Sequence, residues 1–238
     1  MINISDINYH GDVVVFDLDD TIMRERDYVR SGFTLIESSL IDSGYPAEGV
    51  ARELEKILNS RGKYFDWLED WLNKVKAPAE TLPDLIELYR NHLPATLHFD
   101  ESAKSLIDYL SERGIIIGLV TDGRSGTQRA KIKALGLDKY IMPDNILISE
   151  ETGYDKSSPN NFRQFVVRYP EAKRFFYIAD NERKDFMIPN LLGWTTVRQE
   201  YNPDNVHEEY INNDILSRPT CVLSKLSDFI TEFQPKGY

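Results

Sequence analysis

Cysteine is nearly absent. Cys221 is the single cysteine among 238 residues, so no internal disulfide can form and the fold must stand on packing, which suits a reducing compartment. No stretch approaches the roughly 20 apolar residues that a membrane helix needs, and residues 1–12 lack the basic flank and apolar stretch of a secretory signal. A cytoplasmic protein without a membrane partner is therefore expected. Basic residues are in deficit, with 28 Lys and Arg against 39 Asp and Glu and a formal charge of −11, which argues against nucleic acid and other extended polyanions. Histidine is also scarce. His10, His92, His98 and His207 show no ligand spacing and have no cysteine partners, so none is assigned to a metal. No internal repeat or low-complexity tract occurs. What remains, 41% hydrophobic and 28% charged residues, is the composition of a globular protein, with a length between one large domain and two small ones.

Val13-Val14-Val15-Phe16 is β-branched and uninterrupted, the pattern of a strand buried on both faces. Ile115 to Val120, Ile146 to Ile148 and Phe175 to Ala179 read the same way, and Thr195 to Val197 and Cys221 to Leu223 complete the series. Between them lie helical faces: Ala103, Leu106, Ile107 and Leu110, capped by Asp100 and stopped by Gly114; Ala130, Ile132 and Leu135, closed by Gly136; and Phe162, Phe165 and Val166. Ser224 is expected to cap a closing helix through about Phe233. Strands alternating with helices predict an α/β, Rossmann-like three-layer core with a mostly parallel sheet, and ligands in such a core gather at the carboxyl ends of the strands.

Residues 22–98 break the alternation. Val29, Phe33, Ile36 and Leu40 have helical spacing, as do Val50, Leu54 and Ile57, then Leu68, Trp71, Leu72 and Val75, then Leu82, Leu85, Ile86 and Tyr89. Pro46 and Pro78 suit helix starts. An inserted helical domain over 22–98 is expected, with the core formed by 1–21 and 99–238. Residues 200–219, polar and Asn-rich, read as a loop or short helix.

Three of the strands end on polar residues. Asp17 and Asp19 follow the first strand, Thr121-Asp122-Gly123 the second, and Asp180, with Asp185 five residues on, the one beginning at Phe175. Carboxylates crowded at the ends of buried strands are costly through repulsion and desolvation. A hard cation such as Mg²⁺ offsets that cost, keeping several waters and accepting a substrate phosphate oxygen.

Asp17-Leu18-Asp19-Asp20-Thr21, Thr121, Lys156 and Asp180 to Asp185 resemble, in order and placement, the four motifs of the haloacid dehalogenase-like superfamily, and the helical insertion falls where that family carries an α-helical cap. The resemblance implies a Mg²⁺-dependent phosphatase acting on a small phosphorylated metabolite, a sugar phosphate or a nucleotide. Asp17 would be the nucleophile that forms an aspartyl-phosphate, and Asp19 the acid and base, its side chain free because its backbone carbonyl binds the metal. Asp17 and Asp180 would complete the direct ligands, with Asp185 supporting them. Thr121 and the turn through Asp122, Gly123 and Arg124 would hold phosphoryl oxygens at a helix start, and Lys156 would offset charge at phosphorus. Ser157 stands where the family pattern has proline, and Ala179 where it has glycine. The acid at position 19 favours a phosphatase over a carbon-halogen hydrolase. The residues around Thr121 to Leu137 and Asp180 to Phe186 resemble the capped branch containing nucleotidases and sugar-phosphate phosphatases.

Other readings stand beside these. A phosphomutase uses the same nucleophile, and a binding or regulatory protein can keep the fold without activity. Taken alone, Asp17 and Asp19 also describe a solvated acidic turn, Thr121 a helix cap, Lys156 a surface lysine, Asp185 a helix start and Arg124 a solvated arginine. Trp67 and Trp71, with Tyr64 and Phe65, fit the core of the helical insertion or the wall of a pocket. Monomer and homodimer are both compatible with the pattern.

Overall fold

The computed structural model describes residues 11–94, 97–211 and 213–231. His10 and Phe233 therefore lie outside the described residues. Six parallel strands form one sheet in the order β3-β2-β1-β4-β5-β6: β1 Asp12–Phe16, β2 Ile116–Thr121, β3 Ile146–Ile148, β4 Arg174–Ala179, β5 Thr195–Gln199 and β6 Cys221–Leu223. β1 is central, with Phe16 in register with Leu119 of β2 and Ile178 of β4.

Alternate residues of β1 feed two cores, as the period of a strand requires. Val14 and Phe16 pack with Ala103, Leu106 and Leu110 of α5 (Glu101–Glu112), Ile132 and Leu135 of α6 (Ser125–Leu135), and Phe229 of α10 (Asp228–Thr231). On the other face Val13 and Val15 pack with Phe162 and Phe165 of α8 (Pro159–Arg168), Phe186 and Trp194. Gly118 of β2 makes room for α8: a Cβ there would stand 2.4 Å from the Phe165 ring.

The helix boundaries follow local chemistry. The Asp100 carboxylate accepts from the N–H groups of Ser102 and Ala103 and caps α5. Gly114 and Gly136, at φ 63° and 66°, take the left-handed conformation that ends a helix. The expected helix from Ser224 begins later, at Asp228, because the chain first turns to let the Leu226 N–H donate to Ser102 Oγ at 3.1 Å.

Four helices interrupt the alternation: α1 Glu25–Asp42, α2 Val50–Asn59, α3 Tyr64–Lys74 and α4 Thr81–Asn91. They enclose a core of their own around Phe33, Ile36, Leu54, Leu68, Leu85 and Tyr89. Trp67 and Trp71 pack against it, partly buried. Leu58, rather than Ile57, is the buried residue at the end of α2. Pro46 and Pro78 precede α2 and α4 by several residues instead of starting them: left-handed Gly49 leads into α2, and the Pro78 carbonyl accepts from the Thr81 N–H. The chain's two passages between this module and the sheet run side by side, Met23 bridging to Phe99 and the Asp100 N–H donating to the Ile22 carbonyl at 2.8 Å. From Tyr201 to Ile211 the backbone is irregular, and a short 3₁₀ turn follows at Ile215–Ser217.

Candidate active site

The turns after β1, β2 and β4 meet at the carboxyl edge of the sheet. Asp17 directly follows β1, and its N–H donates to the Ile178 carbonyl at 2.9 Å, prolonging the ladder with β4. Its side chain is 3% exposed. One carboxylate oxygen from each of Asp17, Asp180 and Asp185 lies within 4.8 Å of the others. The buried Lys156 ammonium joins them, 2.6 Å from Asp17 Oδ1 and 2.8 Å from Asp185 Oδ1. The second oxygen of Asp185 accepts from the Asn181 N–H at 3.1 Å.

One cation among three acids leaves the cluster with surplus negative charge. Burial first, and then repulsion from Asp185, pushes the Asp17 carboxyl up to about 6 despite Lys156. Burial, followed by Asp185 and Asp17, carries Asp180 well above the usual carboxylate range. Burial works against the Lys156 charge, but Asp17 and Asp185 outweigh it and keep the ammonium protonated. Three converging carboxylate oxygens with an excess of charge are a donor set suited to Mg²⁺. Exposed Lys184 adds a second cation nearby: despite repulsion from Lys156 and partial burial, the acids Asp17, Asp185 and Asp180 raise its pKa.

The Lys156 loop is braced where the proline is missing. Ser157 donates through its N–H and Oγ to Asp155 Oδ1, at 3.0 and 2.5 Å, and the Lys156 N–H donates to Asp122 Oδ1 at 3.1 Å. Ser158 then caps α8, with Pro159 in its first turn. Asp122 thus holds the lysine loop. Gly123 differs from expectation: its N–H donates to Ser149 Oγ at 2.9 Å, and the Ser125 N–H to Glu150 Oε2 at 2.7 Å. The side chains of α7 (Ser149–Thr152) therefore take the Gly123 donor that the turn was expected to offer a phosphate, and that of Ser125 beyond it. Exposed Arg124 lines a groove with Ile86, Glu87 and Arg90 of α4, and among the described residues no polar contact joins it to the carboxylates.

Asp19 is held rather than free. Lys131 Nζ donates to its Oδ1 at 2.7 Å and Gln128 Nε2 to its Oδ2 at 3.0 Å, while the same Gln128 amide donates to Thr121 Oγ1 at 2.6 Å. Burial raises the Asp19 carboxyl, but Lys131 and Gln128 outweigh it and hold the group below its ordinary value. Gln128 and Lys131, one helical turn apart on α6, escaped the sequence reading as site residues. Their spacing after Thr121 was the available signal. Asp20 was missed as well: at φ 54° its carboxylate accepts from the N–H groups of Glu25 and Val206, at 3.0 and 3.1 Å.

A family model described as a haloacid dehalogenase-like hydrolase matches residues 12–187. A glyceraldehyde 3-phosphate phosphatase of Methanocaldococcus jannaschii is 29% identical over 192 residues, covering 78% of this chain and 83% of that protein. One of Pyrococcus abyssi is 26% identical over 196 residues, covering 79% and 81%. Among solved structures, the HAD-hydrolase YfnB from Bacillus subtilis, bound to magnesium, superposes with a TM-score of 0.67 at 22% identity over 94% of this chain and 99% of that one, a likeness of fold.

Proposed function

The chain belongs to the haloacid dehalogenase-like hydrolases, and from that premise we propose that it is a Mg²⁺-dependent phosphatase of small phosphorylated metabolites, with α1 to α4 serving as its cap. The observation that carries this reading is the buried cluster of Asp17, Asp180, Asp185 and Lys156 at the end of the central strands. An Asp17 oxygen attacks phosphorus as the bond to the leaving oxygen breaks, giving an aspartyl-phosphate. Asp19 gives its proton to that leaving oxygen, then takes one from the water that attacks the intermediate, so Asp17 returns as a carboxylate and phosphate departs. Lys156 fixes Asp17 and offsets charge at phosphorus, and the Thr121 hydroxyl, oriented by Gln128, is available to a phosphoryl oxygen. Mg²⁺, held by the carboxylates of Asp17 and Asp180 and the Asp19 backbone carbonyl with Asp185 in support, would neutralise the clustered acids and draw charge from phosphoryl oxygens. Two relatives named for glyceraldehyde 3-phosphate, each matched over about four-fifths of this chain, favour a short sugar phosphate over a nucleotide.

Phosphate release from a panel of sugar phosphates, nucleotides and short-chain phosphates, with and without chelator, tests the reading. Release that requires Mg²⁺ is expected, highest on three-carbon esters. Asp17→Asn should lose at least about a thousandfold in kcat with a melting temperature, free of metal, no lower than that of the wild type. Near-normal turnover in that variant would overturn the assignment, and return of the phosphoryl group to substrate without phosphate release would identify a mutase.

A further inference from the structure

Two side chains of α6 converge on the Asp19 carboxylate from the interior. Lys131 is 3% exposed, whereas Asp19 remains 17% exposed. A carboxylate has two oxygens and about four lone-pair positions. Lys131 takes one on Oδ1 and Gln128 one on Oδ2, so each oxygen retains a position for a proton in transit. The Lys131 ammonium also lies 4.7 Å from the centre of the Tyr28 ring, on α1. That ring is fixed in turn by its hydroxyl, which reaches the Tyr89 and Arg90 carbonyls at the end of α4, both at 3.3 Å. Asp19 is thus gripped from the core and backed by a residue of the helical module.

The geometry points to Lys131 as a positioning residue for proton transfer at the leaving oxygen: with Gln128 it holds the Asp19 carboxyl in one orientation, and Tyr28 ties that orientation to the seating of α1 to α4 over the sheet. The inference rests on the phosphatase reading. In the step concerned the phosphorus–oxygen bond to the leaving group breaks, the Asp17 oxygen–phosphorus bond forms, and the Asp19 proton passes to the departing alkoxide. Lys131 gains and loses no proton. An Asp19 free to rotate would meet the leaving oxygen only part of the time, and the cost falls on esters whose leaving group needs a proton.

The test compares glyceraldehyde 3-phosphate, whose leaving group is an alkoxide, with p-nitrophenyl phosphate, whose phenolate departs unprotonated. In Lys131→Met, kcat/KM on glyceraldehyde 3-phosphate, which reports the steps up to cleavage of the ester bond and not the later hydrolysis of the aspartyl-phosphate, should fall about tenfold to a hundredfold, while kcat/KM on p-nitrophenyl phosphate falls less than about threefold. Lys131→Arg, which restores a cationic donor, should recover part of the alkyl-ester loss. Gln128→Leu removes the other arm of the grip and also releases Thr121, so kcat/KM should fall on both esters but at least about tenfold further on glyceraldehyde 3-phosphate; a Lys131→Met chain that fails to fold therefore leaves the inference open to refutation. Equal losses on the two esters, or no loss on either, overturn it. A wild-type chain that hydrolyses neither ester with Mg²⁺ overturns the phosphatase reading, and this inference with it.

Discussion

Asp17, Glu25 and Asp180 all hold protons more tightly in the fold than a free carboxylate does. Burial carries Asp17 to about 6, and burial followed by the Asp19 charge carries Glu25 to about 8; burial, followed by repulsion from Asp185 and Asp17, carries Asp180 well above the usual carboxylate range. Unfolded carboxylates release their protons near pH 4. Above that pH the folded chain, free of metal, keeps protons the unfolded chain has lost, so the stability carried by these groups falls as pH rises from about 4 through 6 and on toward 8. A divalent cation bound at Asp17 and Asp180, as proposed, would take the place of those protons. Magnesium is therefore expected to raise the melting temperature more at about pH 8 than at about pH 5, read by thermal unfolding against a chelated control. Equal shifts at the two pH values would place the cation elsewhere.

At the scale of elements, two glycines mark where neighbours come too close for a side chain. On β2, a Cβ at Gly118 would stand 2.4 Å from Phe165; on α1, one at Gly32 would stand 2.3 Å from Tyr89 and 3.2 Å from His92. Both neighbours are rings packed on several sides and have little freedom to yield. Gly118→Ala is expected to cost about 1–3 kcal/mol in urea unfolding, with kcat per folded molecule nearly unchanged because the strand ends keep their places. Gly32→Ala should cost less, since alanine favours a helix interior by about 1 kcal/mol over glycine. It acts on the contact between α1 and α4 that seats Tyr28, so its effect on catalysis should appear in kcat/KM on alkyl esters.

At the scale of the whole molecule, the segment from Tyr201 to Ile211 reaches from the sheet to the helical module. Asn205 Nδ2 lies 3.4 Å from Asp180 Oδ2, and the Val206 N–H donates to Asp20 while its side chain joins the core of the module. Around these contacts, Arg26 Nε donates to the Asp204 carbonyl at 2.7 Å, Arg24 meets Asp204 at 3.3 Å, and Arg61 meets Glu208 at 3.4 Å. Exposed pairs of this kind contribute about 0–1 kcal/mol each and are screened by salt. Removing Arg24 and Arg61, the two ion-paired arginines, together, as alanines, should therefore leave the unfolding midpoint nearly unchanged, yet raise KM several-fold and weaken its dependence on salt. An unchanged KM would mean that the segment does not steady the module over the site.

Much of the fold was legible because its determinants are local. Val13 to Phe16 has no polar face and can only be a doubly covered strand, and Gly114 and Gly136 stop helices by a backbone conformation that other residues resist. Asp17, Thr121 and Asp180 were legible as candidates because each stands at the end of a buried strand, and Lys156 through its resemblance to a family motif. Their partners were another matter. Lys131 stands 112 residues from Asp19, and Val206 stands 186 from Asp20; no periodicity links such positions. The Gly123 N–H, offered by its turn, is taken by Ser149, which reaches it only because β3 lies beside β2. The sequence by itself determined which groups have the chemistry and which strands present them. Tertiary structure decided which of those groups stay free and which are held, because pairing of a buried polar group depends on what packing brings within 3 Å of it.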